Sequence, residues 1–166
     1  MTIDDDHLYH GAALIQIAED KHFTAINSMT YKNIIYRSAY RVNTKIGVYF
    51  KYASKPHYKH KEYLFTFMSN NLRELEKIRK VTPKLFIALI CVKGKQICLI
   101  SYKELQEMIK IRENTLGKSE NQYTVLVNLP KGSSFRAYIN YPGQKNTYLG
   151  KQLIVSRNDF PKKIFK

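Results

Sequence analysis

The chain is poor in whatever would staple it or anchor it. Only two of its 166 residues are cysteine, Cys91 and Cys98, and both sit inside apolar runs (LFIALICV and ICLI). Such cysteines are expected as core thiols in a reducing compartment, which excludes a disulfide framework. No apolar run approaches the ~20 residues that a membrane-spanning helix needs; the longest is Leu85 to Val92. Asp4, Asp5 and Asp6 stand where a secretion signal would carry positive charge. The expectation is a cytoplasmic protein with no membrane partner. Catalytic signatures are missing too: there is no G-x-S-x-G, no P-loop and no G-x-G-x-x-G.

Carboxylates are the scarcest class. Thirteen Asp and Glu face 28 Lys and Arg, a net charge of +15 with a pI of about 9.8. The imbalance is uneven along the chain. Residues 1–20 carry −5, residues 21–61 carry +9 with no acid at all, residues 62–120 carry +4 and residues 121–166 carry +7. Self-repulsion of this size destabilises a compact state and points to a polyanionic partner. Hydrophobic residues make up 44% and aromatics 13%. The chain is therefore no disordered polycation, and it is long enough for one domain with its own core.

Periodicity places the elements. Asp4 to Asp6 favour a helix N-terminus, and Leu8, Ala12 and Ile15, widened by Leu14 and Ile17, carry that helix to about Asp20. Ile34–Val42, Ile46–Ala53 and Tyr63–Met68 read as a three-stranded antiparallel meander. In the middle strand Val48 and Phe50 face the core, and Tyr49 and Lys51 share the opposite face. Ser69 is expected to cap a second helix with Leu72, Leu75 and Ile78 on its apolar face, ended by Pro83. Lys84–Val92 reads as a central strand buried on both faces, followed by a turn at Lys93–Gly94 and a strand at Gln96–Ile100. Ser101 and Glu104 form a capping box for a third helix running to Arg112, and Glu113–Asn121 reads as a loop. Strands are then expected at Tyr123–Asn128, Phe135–Tyr141 and Tyr148–Val155. The class is α/β (α+β): a mixed sheet flanked by helices, with an α/β core over residues 1–112 and a β-rich extension over 113–166 packed on the same unit.

The core order αβββαββα, with Tyr49-Phe50-Lys51 on the middle strand, resembles the PD-(D/E)XK nuclease superfamily. That resemblance implies a restriction-endonuclease-like fold with an acid near one strand end and acid-x-Lys on the next. Two acids would hold a divalent cation beside the lysine. Lys51 matches the lysine. Tyr49 stands where the second acid belongs, Asn43 occupies the preceding turn, and no carboxylate lies between Lys21 and Lys61. Glu19 and Glu62 are the acids left to complete a site. The resemblance implies a nuclease-like scaffold without its metal site. No metal or other cofactor is expected, Mg²⁺ entering only if an active nuclease is the answer.

His57 and His60, flanking Tyr58 and Lys59, could serve a metal-independent RNase as acid and base. The plainer reading is a basic loop with weak extra charge. Neither cysteine lies at zinc spacing from them. His7 and His10, a helical turn apart, are expected to face solvent. Gly132-Ser133-Ser134 could form an anion-binding turn or an ordinary hairpin turn. The segment Arg157 to Lys166 is basic with Phe160, Ile164 and Phe165 between charges.

What remains is cations interleaved with tyrosines. Lys32, Arg37, Arg41, Lys45, Tyr49, Lys51, Lys55, Lys59 and Lys61 form one set, and Lys131, Arg136, Lys145 and Lys151 a second. Cations contact phosphates and tyrosine rings stack on exposed bases. The expectation is a protein that binds DNA or RNA mainly through phosphates. Contact with ~6–10 phosphates would lower affinity by roughly 10³–10⁵ between 50 and 200 mM salt. The alternatives are an active nuclease and a basic subunit that docks an acidic protein.

Overall fold

The computed structural model describes residues 1–144 and 147–166. It is an α+β domain with two sheets and three α-helices. Helix α1 (Asp5–Ala18) starts on a capping box in which Asp4 accepts from the His7 N–H at 3.0 Å and His7 Nδ1 accepts from the Asp4 N–H. Strands β1 (Ile26–Tyr31), β2 (Ile34–Val42) and β3 (Ile46–Ala53) form an antiparallel meander. Strand β4 (Glu62–Met68) follows, then α2 (Ser69–Val81), β5 (Lys84–Cys91), β6 (Gln96–Ser101) and α3 (Tyr102–Leu116). Strands β7 (Gln122–Asn128), β8 (Phe135–Ile139) and β9 (Leu153–Val155) and a short 3₁₀ turn at Lys162–Phe165 complete the chain.

The first sheet has the order β1-β2-β3-β5-β6, antiparallel throughout except for the parallel pair β3 and β5. Both its faces are covered. On one, Val48, Phe50, Phe86, Ala88 and Leu99 pack against Ala13 and Ile17 of α1 and Phe160 and Ile164 of the C-terminus. On the other, Tyr49, Ile87, Leu89 and Ile100 pack against α2, α3 and the inner face of the second sheet, β4-β7-β8-β9. A continuous apolar strand such as β5 is what a doubly covered sheet requires. Among the described residues no helix is long and apolar enough to cross a membrane.

Several sequence expectations change. The meander is β1-β2-β3, and Glu62–Met68 belongs instead to the second sheet, where it pairs with β7 from Glu62↔Asn128 to Met68↔Gln122. That pairing also crosses the boundary expected at residue 112 and ties the C-terminal segment into the fold. Helix α3 runs on to Leu116 and ends at Gly117, whose φ of +70° suits a residue without a side chain. The expected strand Tyr148–Val155 shrinks to Leu153–Val155, with Tyr148 making a single bridge to Asn140. Ser69 is the first residue of α2 rather than its cap; the Asn71 side chain accepts the Met68 N–H at 2.9 Å instead. On α1 the buried residues are His10, Ala13 and Ile17, while Leu8 and Ile15 face out. His10, expected in solvent, lies under Phe50 and Tyr52 with ring centroids 5.3 and 5.9 Å away, and burial lowers its pKa.

Candidate nucleic-acid interface

The parallel pair decides where the cations go. Strands β3 and β5 end side by side, with the Val92 N–H on the Ala53 carbonyl and the Lys93 N–H on the Ser54 carbonyl, both at 3.0 Å. The chain therefore leaves both strands at one end of the sheet. After β3, residues 54–61 make a tight loop in which the His57 N–H meets the Glu62 carbonyl at 2.7 Å and the Lys61 N–H meets the His57 carbonyl at 2.8 Å. After β5, Lys93-Gly94-Lys95 turns into β6, and the Gly94 N–H donates to the Tyr63 hydroxyl at 2.9 Å. A Cβ on Gly94 would come within 3.0 Å of Leu129, so this turn lies against the β7–β8 connection. Arg157 fixes that connection. It donates to the carbonyls of Ser133 (2.5 Å) and Pro130 (2.6 Å) and to Gln96 Oε1 (2.6 Å), with its guanidinium over the Phe135 ring.

Three connections thus meet at one end. They carry Lys55, Lys59 and Lys61, then Lys93 and Lys95, then Lys131, all exposed. No carboxylate lies in any of the three, and none of the six lysines makes an ion pair among the described residues. Lys55, Lys61 and Lys93 line a shallow groove of about 520 Å³ together with Tyr58, which is 81% exposed. Lys93 and Lys95 escaped the sequence reading because they belong to a stretch of mixed charge. Their signal was topological: a turn at the end of a strand parallel to β3.

The other expected contacts are dispersed. Arg37 is held by Asp4 at 3.2 Å and Asp6 at 3.8 Å, so acids at the start of α1 already neutralise it. Arg41 donates to the Thr44 carbonyl at 3.3 Å. Lys45 lies in the β2–β3 turn, at the opposite end of β3 from Lys55. Lys32 tops the β1–β2 turn with its ammonium over Tyr31. Arg136 folds back on its own turn, donating to the Ser134 and Phe135 carbonyls and to the Ser133 hydroxyl. Ser133 gives its N–H to the Pro130 carbonyl, closing a turn over residues 130–133. Lys151 is exposed on a segment that packs against Ile111 of α3. Lys145 lies outside the described residues.

Tyr49 and Lys51 do share a face, but that face is also interior. Tyr49 is 1% exposed and donates its hydroxyl to Glu74 at 3.0 Å, so it cannot stack on a base. Lys51 donates to the Thr66 carbonyl at 2.6 Å and to Asn71 at 3.3 Å, and burial lowers its pKa. It opens into a small cleft beside Asp6, His10 and Asn71. The acids proposed to join it do not. Glu19 caps the far end of α1, 13 residues and about 20 Å from Asp6. Glu62 lies on the outer face of the second sheet, bonded by the Tyr138 hydroxyl. Of the nearby carboxylates, Glu74 accepts from the Tyr49 hydroxyl and Asp6 pairs with Arg37 at 3.8 Å. Among the described residues no three His, Cys, Asp or Glu side chains converge to hold a metal ion.

His57 and His60 stack with centroids 5.2 Å apart, and both line a cleft of about 380 Å³ on the outer face of the second sheet. His57 Nδ1 faces the N–H groups of Lys59 (3.3 Å) and His60 (3.4 Å). No protein-family model matches the chain, and no curated protein or solved structure matches it either.

Proposed function

We propose that the chain binds nucleic acid through the phosphate backbone, with the lysine-bearing connections after β3, β5 and β7 as its footprint. The observation that carries this reading is six exposed lysines on three converging turns with no acid among them. Like charges gathered in this way repel, and a row of phosphates removes the repulsion while releasing condensed counterions. Tyr58, exposed in the middle of the loop, adds a ring on which a base can stack. The two-sheet α+β fold serves in this reading as a scaffold. A hard divalent cation prefers charged oxygen ligands, and of the nearby carboxylates Glu74 accepts from the Tyr49 hydroxyl while Asp6 pairs with Arg37.

The test pits nucleic acid against an acidic protein surface. Labelled DNA and RNA 20-mers are titrated with the protein at 100 mM NaCl, with poly-glutamate as the competing polyanion. Tight oligonucleotide binding that excess poly-glutamate displaces poorly supports the reading. Preference for poly-glutamate would make this end a dock for an acidic protein instead.

A further inference from the structure

The cleft on the outer face of the second sheet holds an unsatisfied group. Glu62 is 1% exposed. Its Oε2 accepts from Tyr138, and no described donor reaches its Oε1. A buried carboxylate oxygen needs a donor, and Glu62 is one of the residues that line the cleft. The other charges of the cleft are spent on each other. Arg112 grips Glu120 with two bonds (2.5 and 3.1 Å) and gives its remaining nitrogen to the carbonyl and side chain of Asn140. With Arg112 and Glu120 paired to each other, the cleft keeps an acceptor in Glu62 and polar side chains such as Gln122 on its wall, a lining that suits a neutral ring bearing N–H groups.

Two further features define that ring. Leu64 and Leu126 pair across β4 and β7 on this face and line the cleft together with the stacked imidazoles of His57 and His60, so its lining is partly apolar and aromatic. His57 and Leu64 also line the lysine groove, which makes the two depressions neighbours. A ligand that fits both has a planar amine-bearing ring at one end and an anion a few ångströms away. A volume of about 380 Å³ lies within the roughly 300–1,000 Å³ of small-molecule sites.

We propose that this cleft takes a nucleobase with an exocyclic amine (adenine, cytosine or guanine), which donates to Glu62 Oε1 while its phosphate lies on Lys55, Lys61 and Lys93. This rests on the phosphate-binding reading above. Thymine and uracil are disfavoured because carbonyl oxygens flank their only ring N–H and face the carboxylate.

The test is fluorescence anisotropy with labelled dA5, dC5 and dT5 at 50 mM NaCl. The unmodified protein is expected to bind dA5 and dC5 about tenfold tighter than dT5, as for one charge-assisted hydrogen bond. Glu62→Gln keeps an oxygen for Tyr138 but turns an amide N–H₂ on the ligand, and should erase the preference while leaving the salt dependence intact. If that variant fails to fold, Leu64→Trp, which narrows the cleft from an exposed position, should erase it equally. Salt-dependent binding of all three oligomers without preference overturns the base site and leaves the phosphate reading standing, whereas no binding of any oligomer removes both. AMP and dCMP serve as free competitors. Affinity equal to that of the pentamers assigns the base to a free nucleotide, and much weaker affinity assigns it to a strand; either supports the site.

Discussion

Removing charge from one end of the molecule should change the salt dependence of binding by an amount the structure sets. The perturbation is Lys55, Lys59 and Lys61 to Gln together, three exposed side chains in the loop after β3. Each cation that neutralises a phosphate contributes about −0.7 to the slope of log K against log salt on a single strand. Six lysines give a slope of about −4, or an affinity loss of about 300-fold between 50 and 200 mM salt. With three left the slope falls to about −2 and the loss to about 20-fold. Surface substitutions of this kind change stability by about 0.5 kcal/mol or less, so the effect is not confounded by unfolding. The control is Lys45→Gln. Lys45 precedes β3 and Lys55 follows it, so eight strand residues, about 26 Å, separate them. Anisotropy titrations with a labelled single-stranded 20-mer at four salt concentrations measure both slopes. An unchanged slope in the triple variant, or an equal change on Lys45→Gln, would refute the proposed footprint.

Other outcomes follow from the interior. Lys51→Met should leave oligonucleotide affinity within about twofold, because the Lys51 ammonium is committed to Thr66 and Asn71; a tenfold loss in the same titration would put Lys51 in the interface after all. Burial holds the His10 pKa below its ordinary 6.5, with Arg37 reinforcing the shift and Asp6 and Asp4 opposing it. The unfolded chain thus takes up the proton first, and stability present above pH 6.5 is lost as pH falls towards the folded-state value. Urea denaturation at pH 7 and pH 5 should show a smaller drop for His10→Phe than for the unmodified protein, and equal drops would count against this origin. Gly47→Ala places a methyl 2.7 Å from the buried Thr82 hydroxyl and 3.1 Å from Leu85, and should destabilise by about 1–3 kcal/mol as an overpacked core does. A midpoint unchanged in urea would show that Thr82 yields without strain.

The helices were legible because their ends are written locally. Asp4 at α1 and the Ser101–Glu104 box at α3 sit where the spacing placed them, each with its hydrogen bond. Strand β5 was legible as an apolar run with no polar break. Strand β1 was not, because Asn27, Ser28 and Thr30 dilute it and Met29 is its one buried residue. The alternation in β4 announces a strand equally well for either sheet. Its partner lies some 60 residues on, at Gln122–Asn128, and nothing near β4 encodes that choice. The same blindness explains Tyr49 and Lys51. Alternation put them opposite Val48 and Phe50, as found, but only the packing of β4 and α2 makes that second face an interior.

The candidate site depended on a quantity that charge along the chain does not measure. The acid-free stretch 21–61 is divided in the fold: Arg37 goes to acids at the start of α1, Lys51 goes inside, and Lys55, Lys59 and Lys61 stay free. The mixed stretch contributes Lys93 and Lys95, which no local charge balance would have selected. What gathers the six lysines is connectivity. A parallel pair sends β3 and β5 out at one end, and Arg157 ties the β7–β8 turn to the start of β6 at that same end. Two unit charges roughly 10 Å apart in water repel by about 0.4 kcal/mol, so each lysine added to this cluster is mildly destabilising on its own. A single carboxylate in any of the three turns would relieve that repulsion, and all three lack one. Turn stability therefore gives no reason for the pattern, whereas the proposed row of phosphates would supply one.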